Sequence, residues 1–514
     1  MSKALVVGLD FGTSGLKGAA WNAQGVQVAD ALAKYASYDV PNGGVEQQPE
    51  QWWQATQTVM WELVKKTQGR GQIVAIGLSG PIGNIVCLDA NGVPIVASVP
   101  IWQDRRAAVV LADVARDFSD EELDDWLGIH LPAGPNWPIP RFRWLAQAHP
   151  EVLAQTRWVA QTKDYIGWRL TSKWVTDASS WRGLVHLPEG QSVSRIMAYV
   201  GLPESVLPER QAPDASRGKV IPAIADELGL DEGVLVSTGW NDLNSAAMGA
   251  SLTLGEGFDL AGTSDHFGVV IPDISVKEPR LTVAPYVTGQ QLFYGVTATS
   301  GGSLAWLKEN WFDSTEDSWH TRLTQAAEEL PGSMGLMFLP HLAGERAPFW
   351  DAHARGAFIG LTRAHRLHHG LSAVMEGVAF HLSMIQGILS DHGHRVDYIK
   401  AAGGPMVIEP WNPIRADVLG VPVWIAEDPQ VGCRGAAILA SGLAGIDPER
   451  LHCSWRIMEP DRSRHEAYQA WQAIYLELYP RLRDVFSRLS RLAQASGPRP
   501  EMADQGSVLG RGHS

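Results

Sequence analysis

Apolar residues in the first hundred positions come in short runs broken by glycine, aspartate and asparagine. A-L-V-V-G-L-D (4–10) has the length and continuity of a buried strand, and L-K-G-A-A-W-N (16–22) reads as a second. A-Q-G-V-Q-V (23–28) continues as a hairpin through Gly25. After Pro49 the spacing becomes helical, with Trp52 and Trp53, Val59 and Met60, and Leu63 and Val64 on one side. Q-I-V-A-I-G-L-S (72–79) predicts another buried strand, and I-V-C-L-D-A-N-G-V-P-I (85–95) a hairpin with Asn91-Gly92 at its turn. Strands and hairpins followed by helices predict an α/β domain.

The same opening form returns far downstream. F-D-L-A-G-T-S (258–264) echoes V-G-L-D-F-G-T-S, and Gly12-Thr13 and Gly262-Thr263 stand 250 residues apart. This spacing predicts one α/β unit used twice, with the two loops facing each other across a cleft and a boundary near residue 250. From about Ala495 the chain is rich in glycine, proline and polar residues without periodicity, and is expected to be a mobile tail.

Composition narrows the function classes. The 514 residues correspond to two to four domains at roughly 100–200 residues each. A net charge of -14 argues against nucleic acid as a partner, because phosphate backbones are held mainly by Lys and Arg. The 21 tryptophans offer flat apolar faces for a ring or a sugar. Cys87, Cys433 and Cys453 form no CxxC pair, which disfavours a disulfide framework or a thiolate zinc site and suits a reducing compartment. The N-terminal apolar run is too short for a signal peptide, and no run approaches the roughly 20 residues of a membrane span. A cytoplasmic location with no membrane partner is expected.

The candidate chemistry sits at strand ends. In V-V-G-L-D-F-G-T-S-G-L-K (6–17) a strand runs into Asp10, then a small-residue turn, then Lys17. Such a turn leaves N–H groups open to a phosphate, Thr13 and Ser14 add hydroxyls, and Lys17 adds charge. Asp10 would repel a bare phosphate, so this reading needs Mg²⁺, which is held by one or two carboxylates plus phosphates and water. A tight hairpin with a capping aspartate fits these residues equally well. Neither a Walker A loop nor G-x-G-x-x-G is present. A-G-T-S-D-H-F-G (261–268) offers the same groups again, and A-A-G-G-P-M (401–406) ends a strand in two glycines before a helix. In S-T-G-W-N-D-L-N-S-A-A-M-G-A (237–250), Asp242 stands between an apolar strand and a small-residue helix. Read alone, Asn241 or Asp242 is better explained as a helix cap than as a cleft carboxylate.

Taken in order, the motifs resemble the FGGY family of carbohydrate kinases, which has the actin/Hsp70-type ATPase fold. The resemblance runs over about residues 4–490. It rests on L-D-F-G-T-S-G-L-K, G-L-S-G (77–80), I-W-Q-D-R-R (101–106), K-D-Y-I-G-W-R-L-T-S (163–172), G-W-N-D (239–242), A-G-T-S (261–264), L-P-H-L-A-G-E-R-A-P (339–348), A-R-G-A-F-I-G-L (354–361), and A-D-V-L-G-V-P-V with G-A-A-I-L-A (416–423, 435–440). Residues 339–380 and 416–440 look most like xylulokinases.

The resemblance implies two RNase H-like domains flanking a catalytic cleft, the first (1–250) holding the sugar and the second (251–490) holding ATP. It implies that Asp10 places Mg²⁺, that Gly12, Thr13, Ser14 and Lys17 face the transferred phosphate, and that Gly262 and Thr263 hold phosphate from the other side. Gly403, Gly404 and Asn412 would border the adenosine. Asp242 would be the base, taking the hydroxyl proton late because an ordinary pKa of about 4 is too low to remove it beforehand. Trp102, Gln103, Asp104 and Arg105 would meet the sugar, against the alternative of an Asp104–Arg105 ion pair with Trp102 in the core. His341, Glu345 and Arg346 lie in a family motif and read as structural. His368-His369 and the histidines at 392–394 show no ligand geometry. A homodimer is left open.

The chain also departs from the family's pattern. Xylulokinases usually read Gln-Met-His-Gly after G-L-S-G, where this sequence has Pro81-Ile82-Gly83-Asn84. The usual Asn or Gln after the catalytic Asp is Leu243, which favours an acceptor with fewer hydroxyls there unless Asn241 or Asn244 compensates. Gly403-Gly404-Pro405-Met406 is stiffer and more apolar than the usual adenosine loop. Asp265 would weaken phosphate binding unless it points away or is offset by His266 or metal. The expected activity is an ATP-dependent kinase of a small sugar or polyol. The competing readings are a catalytically altered, regulatory homologue and a non-transferring ATPase switch.

Overall fold

The computed structural model describes residues 4–495 apart from 133, 275 and 313–315. The expected tail beyond 495 lies outside these residues.

The opening apolar run forms β1 (Ala4–Phe11), with Leu5, Val6, Val7, Leu9 and Phe11 fully buried. It turns into β2 (Gly15–Asn22) and then β3 (Gln27–Lys34), both antiparallel. Gly25 makes the second turn at φ +77°, in the left-handed region that glycine enters without strain. Helix α1 (Pro49–Thr67) buries Trp52, Trp53, Val59, Met60 and Leu63, the face that the spacing predicts. Its chain returns as β4 (Gln72–Gly80), parallel to β1. After an inserted segment that contains α2 (Thr162–Thr171), β5 (Ser216–Lys219) and β6 (Leu235–Ser237) extend the sheet in the order β5-β6-β4-β1-β2-β3, and the two-residue strand Trp240–Asn241 also pairs with the end of β4 as a seventh.

The 85–95 hairpin is only partly realised. Val86–Leu88 is a strand, but it pairs with Trp158–Ala160. The Asn91-Gly92 turn forms, closed by Asp89 Oδ1 accepting the Asn91 and Val93 N–H groups. The return arm makes a single bridge, Pro94 opposite Leu88, held by Ile95 N donating to Cys87 O and Asp89 N donating to Val93 O.

Helix α3 (Asp242–Gly249) leads to the second sheet. Its strands are β7 (Gly257–Ala261), β8 (Asp265–Pro272), β9 (Thr282–Pro285), β10 (Gln290–Val296), β11 (Ile399–Gly403), β12 (Val423–Ala426) and β13 (Trp455–Met458). Their order is β9-β10-β8-β7-β11-β12-β13. In each sheet a central strand has two successive antiparallel partners on one side and two parallel partners on the other. The six-letter echo therefore marks a repeat of the whole sheet: β1, β2, β3, β4 and β6 correspond to β7, β8, β10, β11 and β12.

The helices of the second half are α4 (Gly301–Trp311), α5 (Leu367–Asp391), α6 (Asn412–Leu419), α7 (Val431–Ser441) and α8 (Arg462–Ala495). Against the sequence expectation, α5 is long and apolar enough to cross a membrane by length and composition, but 83% of its most apolar window is buried inside the protein. Its buried Glu376 accepts hydrogen bonds from Gly332 N, Ser333 Oγ and Tyr468 OH, so it is a satisfied core residue.

Helix α7 lies well past residue 250 yet packs on β1, β4 and α3 of the first half. The approach is backbone to backbone. A Cβ on Gly8 of β1 would lie 1.8 Å from Cys433 O, and one on Gly77 of β4 would lie 1.7 Å from Ala436 O. A Cβ on Gly435 would lie 1.7 Å from Ser245 O, and one on Gly249 would lie 1.9 Å from Val431 O. No side chain fits this seam, so the absence of one is the packing solution.

Gly435→Ala should therefore force the seam apart and lower the unfolding midpoint, at a cost of roughly 1–3 kcal/mol or more. Gly387→Ala is the control: on an exposed position of α5, its Cβ meets nothing within 4 Å. It should leave the midpoint unchanged or raise it, by up to about 1 kcal/mol of helix propensity. Equal midpoints for Gly435→Ala and the parent in denaturant titration would remove the seam as a stability determinant.

Candidate active site

β1 delivers Asp10 to the edge of a cavity of about 560 Å³, and the turn to β2 is closed by Gly12 N donating to Gly15 O. Asp10 stands opposite Lys17 across the hairpin. Its Oδ1 accepts from Ser79 Oγ at 2.7 Å, while Oδ2 has no hydrogen-bond or ion-pair partner among the described residues. Burial raises its pKa, against the Ser79 bond and the Lys17 charge. At the start of α7, Gly432 leaves Oδ2 its room: a Cβ there would lie 2.2 Å from that oxygen.

The second loop faces the same cavity. Gly262 N donates to Ser264 O, and Ser300 N and Gly302 N donate to Thr263 O, fastening the loop to the start of α4. β11 ends at Gly403, whose φ of +107° and closeness to Ala261 O (1.9 Å from an added Cβ) exclude other residues. Gly404 and Pro405 follow on the cavity wall. Gly12, Thr13, Ser14, Lys17, Gly262, Thr263, Gly403 and Gly404 thus line one cavity together with Asp10 and Asp242.

Asp242 is not the helix cap. Asn241 takes that role, with Oδ1 accepting Asn244 N at 3.1 Å and Nδ2 donating to Ser179 Oγ at 3.0 Å. Asp242 is left at the first turn of α3, its Oδ1 accepting the Leu243 N–H at 2.8 Å. Burial pushes its pKa up to about 6; the Leu243 N–H opposes this, the Asp10 charge adds to it, and Arg182 opposes it. The carboxylate is a stronger base than the ordinary value assumed from sequence. Leu243 is buried beside it, and Asn244 turns away to donate to Pro285 O, so neither Asn241 nor Asn244 supplies the missing polar group.

Several expected ligand residues do other work. Asp104 is fully buried: Oδ1 accepts Arg106 N, and Oδ2 accepts Val45 N and the Arg106 guanidinium. It cannot reach a sugar, and its ion-pair partner is Arg106, not Arg105. Arg105 is exposed and donates from Nη2 to Ala343 O in the second half. Gln103 is half-buried and is not part of the cavity lining. Asn412 is fully buried, donating Nδ2 to Met406 O at 3.0 Å; it braces the turns after Gly404 and does not line the cavity. Trp102 does line it, with Nε1 donating to Thr13 Oγ1 at 3.0 Å. Asp265 points away from the cleft into a buried cluster with Arg415 and Ser300, whereas His266 faces the cavity.

Folding adds residues that the sequence reading passed over. Arg346, taken there as structural, lines the cavity with its guanidinium 5.3 Å from the Trp102 ring centre and Nη2 donating to Thr297 O. Arg182, which no motif marked, lines it too: Nε donates to Ser179 O, and Nη1 reaches Tyr294 OH at 3.4 Å. Burial, with Arg346 and Arg182 adding, pushes His266 down to about 3, so its imidazole is neutral. Behind Arg346, the buried Glu345 accepts from Ala298 N and Arg346 N and pairs with His341 Nδ1 at 2.6 Å. Contrary to the sequence reading, His368 and His369 do gain ligand-like geometry, with Glu329 3.3 Å from His368 Nε2. His369 Nδ1, however, accepts the Arg366 N–H, which puts the ring proton on Nε2.

The cavity can hold a phosphate chain between two hydroxyl-bearing loops, with a carboxylate open to a hard cation at one side and a second, more basic carboxylate nearby. Asp10 fits magnesium: its Oδ2 is free, and one carboxylate plus phosphates and water is the usual ligand set.

Residues 5–249 match the N-terminal domain of the FGGY family of carbohydrate kinases, and residues 260–443 match its C-terminal domain. The chain is 29% identical to a protein named xylulose kinase from Staphylococcus epidermidis, over 95% of this chain and 99% of that one. The crystal structure of gluconate kinase from Lactobacillus acidophilus superposes with a TM-score of 0.85 at 25% identity, covering 95% of this chain and all of that one. Ligand-bound xylulose kinase from the same organism shares the fold, with a TM-score of 0.85 at 24% identity and coverage of 95% and 100%.

The raised pKa of Asp242 makes a stability prediction with a definite sign. The folded value of about 6 lies above the unfolded carboxylate value of about 4. Between those pH values the folded protein binds the extra proton, so stability falls as pH rises through the window. Asp242→Asn should unfold at a higher temperature than the parent at about pH 7.5, and the gain should disappear below about pH 4. A thermal-midpoint difference that does not change with pH would contradict the perturbed carboxyl.

Proposed function

The chain belongs to the FGGY family of carbohydrate kinases and is an ATP-dependent sugar kinase, and we propose that Asp242 is its base and Asp10 its magnesium-facing carboxylate, acting on a small open-chain sugar or polyol. The observation that carries this reading is the position of Asp242. Asn241 relieves it of the capping role, and it shares a cavity with both glycine–hydroxyl loops.

In the proposed step the acceptor hydroxyl oxygen forms a bond to the γ-phosphorus, the bond from that phosphorus to the β–γ bridging oxygen breaks, and ADP leaves. The hydroxyl proton passes to Asp242. Phosphoryl transfer runs through a loose transition state, so alignment and charge neutralisation matter more than early proton removal. A base near 6 accepts the proton late more readily than an ordinary aspartate, yet stays ionised at neutral pH. Thr13, Ser14 and Thr263 donate to phosphate oxygens, and Lys17 balances their charge. When bound at Asp10, magnesium supplies neutralisation of the β- and γ-phosphate charge. Gly403 and Gly404 let the nucleotide approach the backbone. Trp102, hydrogen-bonded to Thr13, forms the wall between phosphate and sugar.

The alternative is a homologue that binds but does not transfer. It loses one of its supports, because Asp265 turns away from the phosphate site. Leu243 and Pro405 are better read as features of specificity.

ADP release should depend on an added sugar or polyol. In Asp242→Asn, kcat should fall by roughly 10²–10⁴-fold while ATP binding, followed by tryptophan fluorescence, is retained. For the parent enzyme kcat/KM should drop as pH falls below about 6, because Asp242 must be ionised to accept the proton. Full activity in the mutant, or a flat profile, would remove Asp242 as the base. EDTA should abolish turnover and added magnesium should restore it. In Asp10→Asn the magnesium concentration giving half-maximal rate should rise; an unchanged requirement would move the metal elsewhere.

A further inference from the structure

The turn between β1 and β2 has its polarity fixed from outside the cavity. The Gly12 carbonyl accepts the Tyr35 hydroxyl, the Thr13 carbonyl accepts Gln47 Nε2 at 2.6 Å, and the Ser14 carbonyl accepts Tyr35 N at 3.3 Å. Gly12, Thr13 and Ser14 line the cavity, whereas Tyr35 and Gln47 do not. In a planar trans peptide the C=O and the following N–H point to opposite sides. Turning the Gly12 and Thr13 carbonyls toward Tyr35 and Gln47 therefore turns the Thr13 and Ser14 N–H groups to the cavity side. Neither N–H has an acceptor among the described residues. The opposite polarity would aim carbonyl oxygens at a phosphate, and a turn with glycine at 12 and 15 has the backbone freedom to adopt it.

The two clamps are themselves held. Gln47 ends the strand Gly44–Gln47 and is 1% exposed. Trp52 Nε1, on α1, donates to Gln47 Oε1 at 2.9 Å. An indole N–H is a donor only, so the amide oxygen must face Trp52, and the amide NH₂ must face Thr13 O and Ser37 Oγ. Burial and the Asp10 charge push the Tyr35 phenol up, so its hydroxyl stays a donor. Trp102 Nε1 occupies Thr13 Oγ1 as an acceptor, which leaves the Thr13 hydroxyl proton for a ligand.

The repeat of the sheet supplies an independent comparison. Thr263 O, the counterpart of Thr13 O, is also engaged from outside its loop, by Ser300 N at 2.8 Å and Gly302 N at 3.1 Å. In the second loop main-chain donors at the start of α4 hold the carbonyl; in the first loop the side chain of Gln47 does.

We infer that Gln47 and Tyr35 are positioning residues of the phosphate site: they hold the Gly12 and Thr13 carbonyls out of the cavity, so that the Thr13 and Ser14 N–H groups meet the transferred phosphate. The inference rests on the kinase reading, in which this turn faces that phosphate, and it adds two residues that touch no substrate. Successive N–H groups aimed at one point form an anion-binding concavity. Their worth in the transfer step depends on the peptides being oriented before the charge develops.

The test uses the full-length protein with magnesium and either AMP-PNP, a non-hydrolysable ATP analogue, or ADP, each titrated calorimetrically. Tyr35→Phe removes only the hydroxyl, and Gln47→Met keeps the length and loses the amide. Each should weaken AMP-PNP binding by roughly five- to tenfold, the size of one lost hydrogen-bond contribution, and leave ADP within about twofold, because ADP lacks the phosphate that the turn faces. With a sugar that drives ADP release, kcat should fall by a similar factor while KM for the sugar is unchanged. A merely structural role would not separate the two nucleotides.

Equal affinity of Tyr35→Phe and the parent for AMP-PNP overturns the proposal. So does an equal loss for AMP-PNP and ADP, which would make the two residues supports of the nucleotide site as a whole. Tyr35→Phe keeps the test decisive if Gln47→Met does not fold. If no sugar drives ADP release but the loss is selective for AMP-PNP, the positioning role stands and the proposed transfer step fails. If sugars drive ADP release and both variants match the parent, the transfer step stands and the positioning role fails.

Discussion

Where α7 crosses β1, β4 and α3, main chains meet with no side chain between them. Gly8, Gly77, Gly249 and Gly435 make that approach possible, and the active-site geometry depends on it. The seam holds α3, the helix that begins at Asp242, against the sheet that carries Asp10. It brings Gly432 over the Asp10 carboxylate and leaves Oδ2 accessible. It also ties a helix from the second half to the first sheet, so the two glycine–hydroxyl loops keep one cavity between them. A tightly packed interior of this kind has discrete arrangements and does not deform gradually, which suits a site that must hold a phosphate chain and a hydroxyl in line.

Charge is distributed along the cavity with a purpose at each end. At the end proposed to hold the phosphates, Asp10 and Lys17 face each other across a hairpin, and a hard cation suits the free carboxylate oxygen. At the other end Arg182 and Arg346 meet a neutral His266. Asp242 lies under the influence of both ends, its basicity raised by burial and by Asp10 and moderated by the Leu243 N–H and Arg182. The same residue is thus kept ionised at neutral pH and yet able to take a proton, a balance set by its neighbours on both sides.

Residues whose role follows from local chain geometry were legible in the sequence. The residues alone left the strand-acid-glycine–hydroxyl stretch open between a capped hairpin and a ligand loop; the family resemblance pointed to a cleft, the fold brings Asp10, Thr13 and Thr263 to one cavity, and the repeat of the turn anticipated the repeat of the sheet. Asp242 was visible as a strand-to-helix acid, but its freedom from capping depends on the rotamer of Asn241 and on Ser179, which comes from 62 residues away. Asp104 and Asn412 misled for a related reason. Their residue type suits a ligand, and only tertiary structure shows their oxygens and amide turned to Arg106, Val45 and Met406. Arg182 and Arg346 were not read as cavity residues because they lie far apart in the chain, and only the fold brings them to one wall.

The helix α7 seam also bears on the order in which the protein is made. The sheet that α7 covers begins at residue 4, while the helix begins at residue 431. During synthesis the first sheet emerges with its glycine-lined face bare, and it stays bare until most of the second half has left the ribosome. The first half is therefore complete in sequence long before it is complete in structure. Contacts of such long sequence separation form late and slowly, and a nascent chain with an open apolar sheet face is a natural client for chaperones. Coupling the two lobes through one returning helix leaves a long interval in which the first sheet lacks the helix that covers it.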